Sequence, residues 1–275
     1  MQNPVNQFKQ ALKNNQLQIG LWQSLIGGLS GEICASAGFD WLLLDGEHSP
    51  NDLQSLMQQL QIIAAYPKSN AIVRIPHGYG DSGTAIIKQH LDLGVQTLLV
   101  PMIDTAEQAA HVVRSTRYPT SATPNGIRGV AGGRSSRWGR IADYSKVANE
   151  QICVLVQAES MTAIQNLEAI CAVDGVDGVF IGPADLSASM GYIGQLQHPE
   201  ALKVADDAIA RIQKSGKAAG ILTADQKLAQ HYIDIGSLFV AVGLDNNILM
   251  RETKALVDKF MGGKVATGGA SGSGY

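Results

Sequence analysis

The sequence predicts a single (β/α)8 TIM barrel, and three observations carry that expectation. Short apolar, β-branched runs recur along the chain, an amphipathic stretch follows nearly every one, and the runs number eight. At 275 residues with 45% hydrophobic side chains, the chain can bury the core of one closed barrel.

The expected strands are 18–22, 39–44, 71–75, 96–100, 152–157, 176–181, 218–222 and 238–242, with helices at 51–64, 83–93, 105–115, 162–172, 199–215 and 225–235. Asn51, followed by Asp52, supplies a helix cap, and Gly38, Gly94, Gly175, Gly216 and Gly236 mark helix exits. Residues 1–261 form the barrel domain, and 262–275, rich in Gly and Ser, a flexible tail. One connection breaks the rhythm: the Gly- and Arg-dense stretch from Tyr118 to Arg140 is either a solvated excursion or a segment ordered by an anion or a neighbouring subunit.

A net charge of −3 offers no basic footprint, so nucleic acid and anionic membrane are excluded as partners. Cys34, Cys153 and Cys171 sit in apolar segments without metal-ligand spacing, as buried thiols do in a reducing compartment. The polar start Met-Gln-Asn-Pro and the lack of a long apolar run point to neither signal peptide nor membrane span, hence to the cytoplasm.

Barrel enzymes work at the carboxyl ends of their strands. The sixth strand runs into Gly182-Pro183 and delivers Asp185, whose N–H, with that of Ala184, opens a helix-compatible turn able to cradle an anion. The fifth ends Gln157-Ala-Glu159. Neighbouring parallel strands lie roughly 4.8 Å apart, so Glu159 and Asp185 can share one hard divalent cation; the alternative is that each caps the following helix. The second strand delivers Asp45-Gly-Glu-His48, with His48 as general base. Arg74 interrupts an apolar run, where a guanidinium needs an anionic partner, either substrate or an internal acid. Trp22 and Leu222 are pocket walls or plain core, and Gly220 and Gly243 are weak candidates for a phosphate site. No lysine projects from a strand end, which tells against Schiff-base chemistry, and no Ser-His-Asp order, GxGxxG or P-loop is present. Two carboxylates, an arginine and a histidine suit enolisation of a 2-oxo acid and, with an aldehyde, reversible aldol chemistry.

The segments Leu42-Leu-Leu-Asp-Gly-Glu-His48, Val73-Arg74, Val100-Pro-Met102, Gly126-Ile-Arg-Gly129, Gln157-Ala-Glu159, Val176 to Ser187 and Phe239 to Asp245 closely resemble the HpcH/HpaI aldolases, in order and in spacing. The resemblance runs from about Phe8 to Phe260. It implies a class II pyruvate aldolase using Mg²⁺, Mn²⁺ or Co²⁺ and assembled as a homohexamer, a dimer of trimers with exchanged C-terminal helices. The substrate it implies is 4-hydroxy-2-oxoheptanedioate, cleaved to pyruvate and succinate semialdehyde in aromatic catabolism. Sibling aldolases of 2-keto-3-deoxy sugar acids, or a non-catalytic keto-acid binder, are the alternatives. Carried residue by residue, the resemblance makes His48 the proton acceptor, Arg74 the transition-state stabiliser, and Glu159 and Asp185 the metal ligands. Gln157, Gly182, Ala184 and Asp185 then contact the keto acid, and Leu222 borders the aldehyde. Asp92 raises the basicity of the histidine, reaching it from a neighbouring subunit, with Asp45 as the local alternative. Two departures stand out: Ala158 and Ser160 flank Glu159 where the family commonly has Ile and Thr, and the stretch from Pro76 to Gly83 is longer than usual.

Overall fold

The computed structural model describes residues 1–262. Eight parallel strands close into a barrel in sequential order: β1 Gln18–Gln23, β2 Trp41–Asp45, β3 Asn70–Arg74, β4 Thr97–Val100, β5 Cys153–Ala158, β6 Gly178–Ile181, β7 Ala218–Leu222 and β8 Phe239–Leu244. Each coincides with an expected strand, because strands covered on both faces read as continuous apolar runs. The expected tail falls, apart from Gly262, outside the described residues.

Around the barrel lie α1 Gln7–Lys13, α2 Gly28–Ser36, α3 Leu53–Ile63, α4 Gly80–Asp92, α5 Ala106–Thr116, α6 Tyr144–Gln151, α7 Met161–Gln165, α8 Leu167–Cys171, α9 Pro183–Ser189, α10 Pro199–Lys214, α11 Gln226–Asp234 and α12 Asp245–Met261. The expected helix over 162–172 is broken at Asn166, whose side-chain amide donates to the Asp104 carbonyl at 2.8 Å. Asp52, rather than Asn51, occupies the N-cap of α3 in a capping box with Ser55, while Asn51 donates to the Asp45 carbonyl and so ties the helix to the end of β2. The five exit glycines all adopt positive φ, as expected.

The barrel interior is filled from below. Phe8, on α1, packs edge-on against Trp41 and Phe239, with centroids 6.2 and 5.9 Å away. A Cβ on Gly20 or Gly220 would lie 2.1 Å from the Trp41 or Phe239 ring, so these glycines exist to admit the aromatic layer. That spends Gly220 on packing rather than on a phosphate. Above this layer Trp22 and Phe180, 5.7 Å apart, form the floor of a polar mouth. The outer layer of Val, Ile and Leu between sheet and helices forms the second core.

Two features stand away from the barrel. Helix α12 buries only Asp245, whose carboxylate accepts from the N–H groups of Ser24 and Leu25; Leu249, Met250, Leu256 and Phe260 are exposed. On α2, Leu29 and Ile33 are also exposed. Among the described residues, no helix is long and apolar enough to cross a membrane.

Candidate active site

The strand register sets Asp45 beside Arg74 at the carboxyl ends of β2 and β3. Arg74 donates from Nε to Asp45 Oδ1 at 2.9 Å and from Nη2 to Oδ2 at 2.7 Å, a bidentate pair, and its guanidinium stacks 4.7 Å from the Trp22 ring centroid. Trp22 Nε1 and the backbone N–H groups of Glu47 and His48 donate to the same carboxylate. Burial works against the Asp45 anion, but the hydrogen bonds and charge of Arg74 outweigh it and hold its pKa below the ordinary 3.8. Asp45 thus meets His48 at the backbone, not at the ring. The acid near the imidazole is Glu47, with Oε2 3.8 Å from His48 Nε2 and 3.0 Å from Arg74 Nη1. The His48 side chain is 58% exposed, open to the mouth.

Across the mouth, β5 and β6 end in a different electrostatic setting. Glu159 is 3% exposed; its Oε1 accepts from Met102 N at 2.7 Å and its Oε2 from Gln157 Nε2 at 2.6 Å. A Cβ on Gly182 would sit 2.4 Å from Glu159 Oε2, so only glycine lets the strand end pass this close to the carboxylate. Burial is the largest influence on Glu159 and, with the nearby charges of Asp185 and Glu47, raises its pKa to about 7 despite the Met102 N–H. Burial likewise lifts Glu47 to about 7, with Asp45 and Asp185 adding to it and Arg74 opposing. Asp185 sits in the first turn of α9, which starts at Pro183 with Gly182 as N-cap.

These groups share one cavity of about 700 Å³. Its wall carries every expected site residue except Asp92: Trp22, Asp45, His48, Arg74, Gln157, Glu159, Gly182, Ala184, Asp185 and Leu222 all line it. Among the described residues, no lysine does. The sequence reading missed the outer wall, where Gln195, Gln197, His198 and Thr223 come from segments between elements and Asn246 from the first turn of α12. Glu47 belongs to the same Asp45-Gly-Glu-His48 segment, where the sequence points only to Asp45 and His48. Asp92 lies at the carboxyl end of α4, 3.7 Å from Arg128 Nη2 and outside the cavity, so within one chain it does not reach His48. The segments 76–83 and 118–140 contribute nothing to the cavity wall of a single chain. In the second of them the Arg128 guanidinium packs 4.3 Å over the Tyr118 ring.

Among the described residues, no three His, Cys, Asp or Glu side chains group as a metal centre. A divalent cation would therefore have two carboxylates of this chain, Glu159 and Asp185, and would complete its shell with oxygens of substrate and water. Hard cations that keep several waters accept such sites. The donor chemistry fits: oxygen ligands only, acids that repel one another without a cation between them, and a buried Gln157 Oε1 with no hydrogen-bond partner.

An eight-stranded barrel with acids, an arginine and a histidine around its carboxyl-end mouth frames an enzyme acting on a small anionic substrate. Residues 18–251 match the HpcH/HpaI aldolase/citrate lyase family, to which the chain belongs. It is 54% identical over 260 residues to the 4-hydroxy-2-oxovalerate aldolase of Rhodococcus jostii, covering 94% of this chain and 98% of that one. It is 53% identical over 273 residues to the hydroxypyruvate/pyruvate aldolase of Pseudomonas aeruginosa, covering 98% of each. A 4-hydroxy-2-oxo-heptane-1,7-dioate aldolase of Escherichia coli is 54% identical over 257 residues, covering 93% of this chain and 95% of that one. As a member of this aldolase family the chain is a carbon–carbon lyase.

Proposed function

We propose that the chain is a divalent-metal-dependent, class II pyruvate aldolase that reversibly cleaves 4-hydroxy-2-oxo acids. Its substrate on this reading is 4-hydroxy-2-oxoheptanedioate, split to pyruvate and succinate semialdehyde in aromatic catabolism. The observation that carries the reading is the meeting of Glu159, Asp185, Arg74, Gln157 and His48 in one cavity that no lysine of the described chain enters. The names of the similar aldolases differ in substrate, and three relatives equally distant from this chain support the reaction class more than any one substrate.

Glu159 and Asp185 would hold the cation, whether Mg²⁺, Mn²⁺ or Co²⁺, which when bound would supply positive charge for polarising the keto group. The Arg74 guanidinium is pre-set: Asp45 fixes Nε and Nη2 and Glu47 lies 3.0 Å from Nη1, so its positive charge is held in place beside the oxygen on which enolate charge grows. Gln157, held by its bond to Glu159, offers its free amide oxygen or, turned over, its N–H to the keto acid. His48 takes the proton of the C4 hydroxyl as the C3–C4 bond breaks; the electron pair moves into the pyruvate enolate, which is protonated at C3. In the reverse direction His48 removes a methyl proton from pyruvate.

The exposed apolar residues of α12 and α2 support a homohexamer built as a dimer of trimers with exchanged C-terminal helices. Asp92 can serve His48 only across such a subunit boundary. Three unpaired cysteines, two of them buried, suit a cytoplasmic protein. A sibling aldolase for 2-keto-3-deoxy sugar acids is favoured by the hydroxyl and amide groups of Thr223, Gln195 and Asn246 on the outer wall. A non-catalytic keto-acid binder would have no use for His48.

The test is exchange of pyruvate methyl protons with deuterated water. Chelation should abolish it, and Mg²⁺ or Mn²⁺ should restore it; His48→Ala should remove it while metal still binds. Full exchange after exhaustive chelation refutes the cation's role, and unaltered exchange in His48→Ala moves the base elsewhere.

A further inference from the structure

We propose that His198 recognises the far end of the aldehyde half of the substrate, donating a hydrogen bond from Nε2 to an oxygen carried there. The inference rests on the aldolase reading above and extends it to acceptor specificity. All the acids that handle the keto acid lie at the inner end of a cavity of about 700 Å³, far more than a three-carbon acid fills. The remaining wall is supplied by the loop 194–199 and the ends of β7 and β8, and His198 is part of it.

The protonation pattern of that ring follows from its neighbours. The backbone N–H of Glu200 donates to His198 Nδ1 at 3.3 Å as His198 caps α10. Nδ1 is thereby the acceptor, so the neutral ring carries its hydrogen on Nε2. The ring plane is also held: His198 stacks on Tyr192 with centroids 3.6 Å apart and 13° between planes. Tyr192 in turn is pinned from both sides of its peptide, its N–H donating to the Ser187 carbonyl at 2.8 Å and its carbonyl accepting from Ser187 Oγ at 2.6 Å. A donor whose ring is stacked on one face and tethered at Nδ1, and whose Nε2 has no partner among the described residues, suits recognition, since less is lost in ordering it.

Two neighbouring groups on the same wall are already engaged. Gln197 Nε2 donates to Asp225 Oδ2 at 3.2 Å, and Asp225 Oδ1 accepts from the N–H groups of Lys227 and Leu228 at the start of α11. No Lys or Arg of the described chain lines this outer half, so a terminal oxygen finds no fixed positive charge there. Leu196, Leu222 and Leu228 make the remaining wall apolar, which suits the methylenes between the carbonyl carbon and that oxygen. The ligand class is therefore an aldehyde with a carboxylate or hydroxyl at its far end.

Three substrates of equal chain length separate the possibilities: 4-hydroxy-2-oxoheptanedioate, 4,7-dihydroxy-2-oxoheptanoate and 4-hydroxy-2-oxoheptanoate. His198→Leu should lower kcat/KM roughly tenfold for a substrate ending in oxygen, chiefly through KM, the worth of one lost hydrogen bond. Cleavage of the methyl-ended substrate and pyruvate methyl exchange should stay within about twofold of wild type. His198→Asn, which keeps both a capping oxygen and an N–H, should recover much of the loss. A loss confined to the dianion assigns a carboxylate, and a loss on both oxygen-ended substrates assigns any oxygen acceptor. Equal loss on all three, or no loss on any, overturns the proposal. A wild-type enzyme that never exchanges pyruvate protons would instead break the aldolase reading beneath it.

Discussion

Asp45 and Glu159 occupy equivalent places in the barrel and live in opposite electrostatic worlds. Both end a strand at the same mouth, both are almost fully buried, and both accept backbone N–H groups. Yet Asp45 is held below its ordinary pKa and Glu159 is lifted to about 7. The difference is one guanidinium. Asp45 has Arg74 on both oxygens; Glu159 has an amide, a backbone N–H and two neighbouring acids. A carboxylate saturated by a guanidinium is held as the anion, whereas a buried one short of positive charge is costly to ionise.

The largest effect expected is on activity. Glu159→Gln should reduce cleavage by on the order of a thousandfold or more, since a charge-stabilising group worth several kcal/mol is lost with the cation. The fold should survive it. Gln157 Oε1 has no partner, so turning that amide over lets it accept from the new Gln N–H. Isothermal titration with Mn²⁺ checks the cause: tight binding in the variant would contradict the assignment of Glu159. Asp45→Asn should act on the fold as well as on activity, since Asp45 holds the Arg74 guanidinium. It leaves Arg74 buried beside a neutral group, with Glu47 as its remaining acid, and should cost about 3 kcal/mol, the lower end for a broken buried pair. Chemical denaturation measures this. A variant as stable as wild type would mean that Glu47 takes over the guanidinium fully.

How much of this contrast could be read from the chain alone follows from where each partner comes from. The strands were legible because burial on both faces makes them continuous apolar runs, and the acids because each follows such a run within a few residues. Arg74 was legible as a cation needing an anion, but the choice of anion depended on register: the pairing of β2 with β3 sets Asp45 directly opposite it. Strands buried on both faces lack the apolar–polar alternation from which register could be read. The break at Asn166, the plugging of the barrel by Phe8 and the demand of Phe239 on Gly220 are all contacts between residues far apart in the chain. The outer wall around His198 lies in loops, where neither periodicity nor strand ends mark function.

The comparison also predicts where stability moves with pH in the metal-free enzyme. Glu159 is an acid whose folded pKa, about 7, lies above its ordinary 4.5, so the folded state holds the proton more tightly than the unfolded chain does. Its contribution to stability is complete below pH 4.5, declines as the pH rises, and is gone above about 7. Glu47 acts in the same window, and because the two acids repel each other their effects do not simply add. For Glu159 alone the shift corresponds to at most about 3 kcal/mol. Asp45 works the other way: its depressed pKa stabilises the fold above 3.8 and is lost only as the pH falls further, outside this window. Denaturation of chelated protein across pH 4.5 to 8 should therefore show stability falling with rising pH. In Glu159→Gln the slope should shrink to the share of Glu47, and added Mg²⁺ should flatten it in wild type alone. Stability that rises through the window would mean that Glu159 is ionised and compensated without a cation, and the distinction between the two carboxylates would be lost.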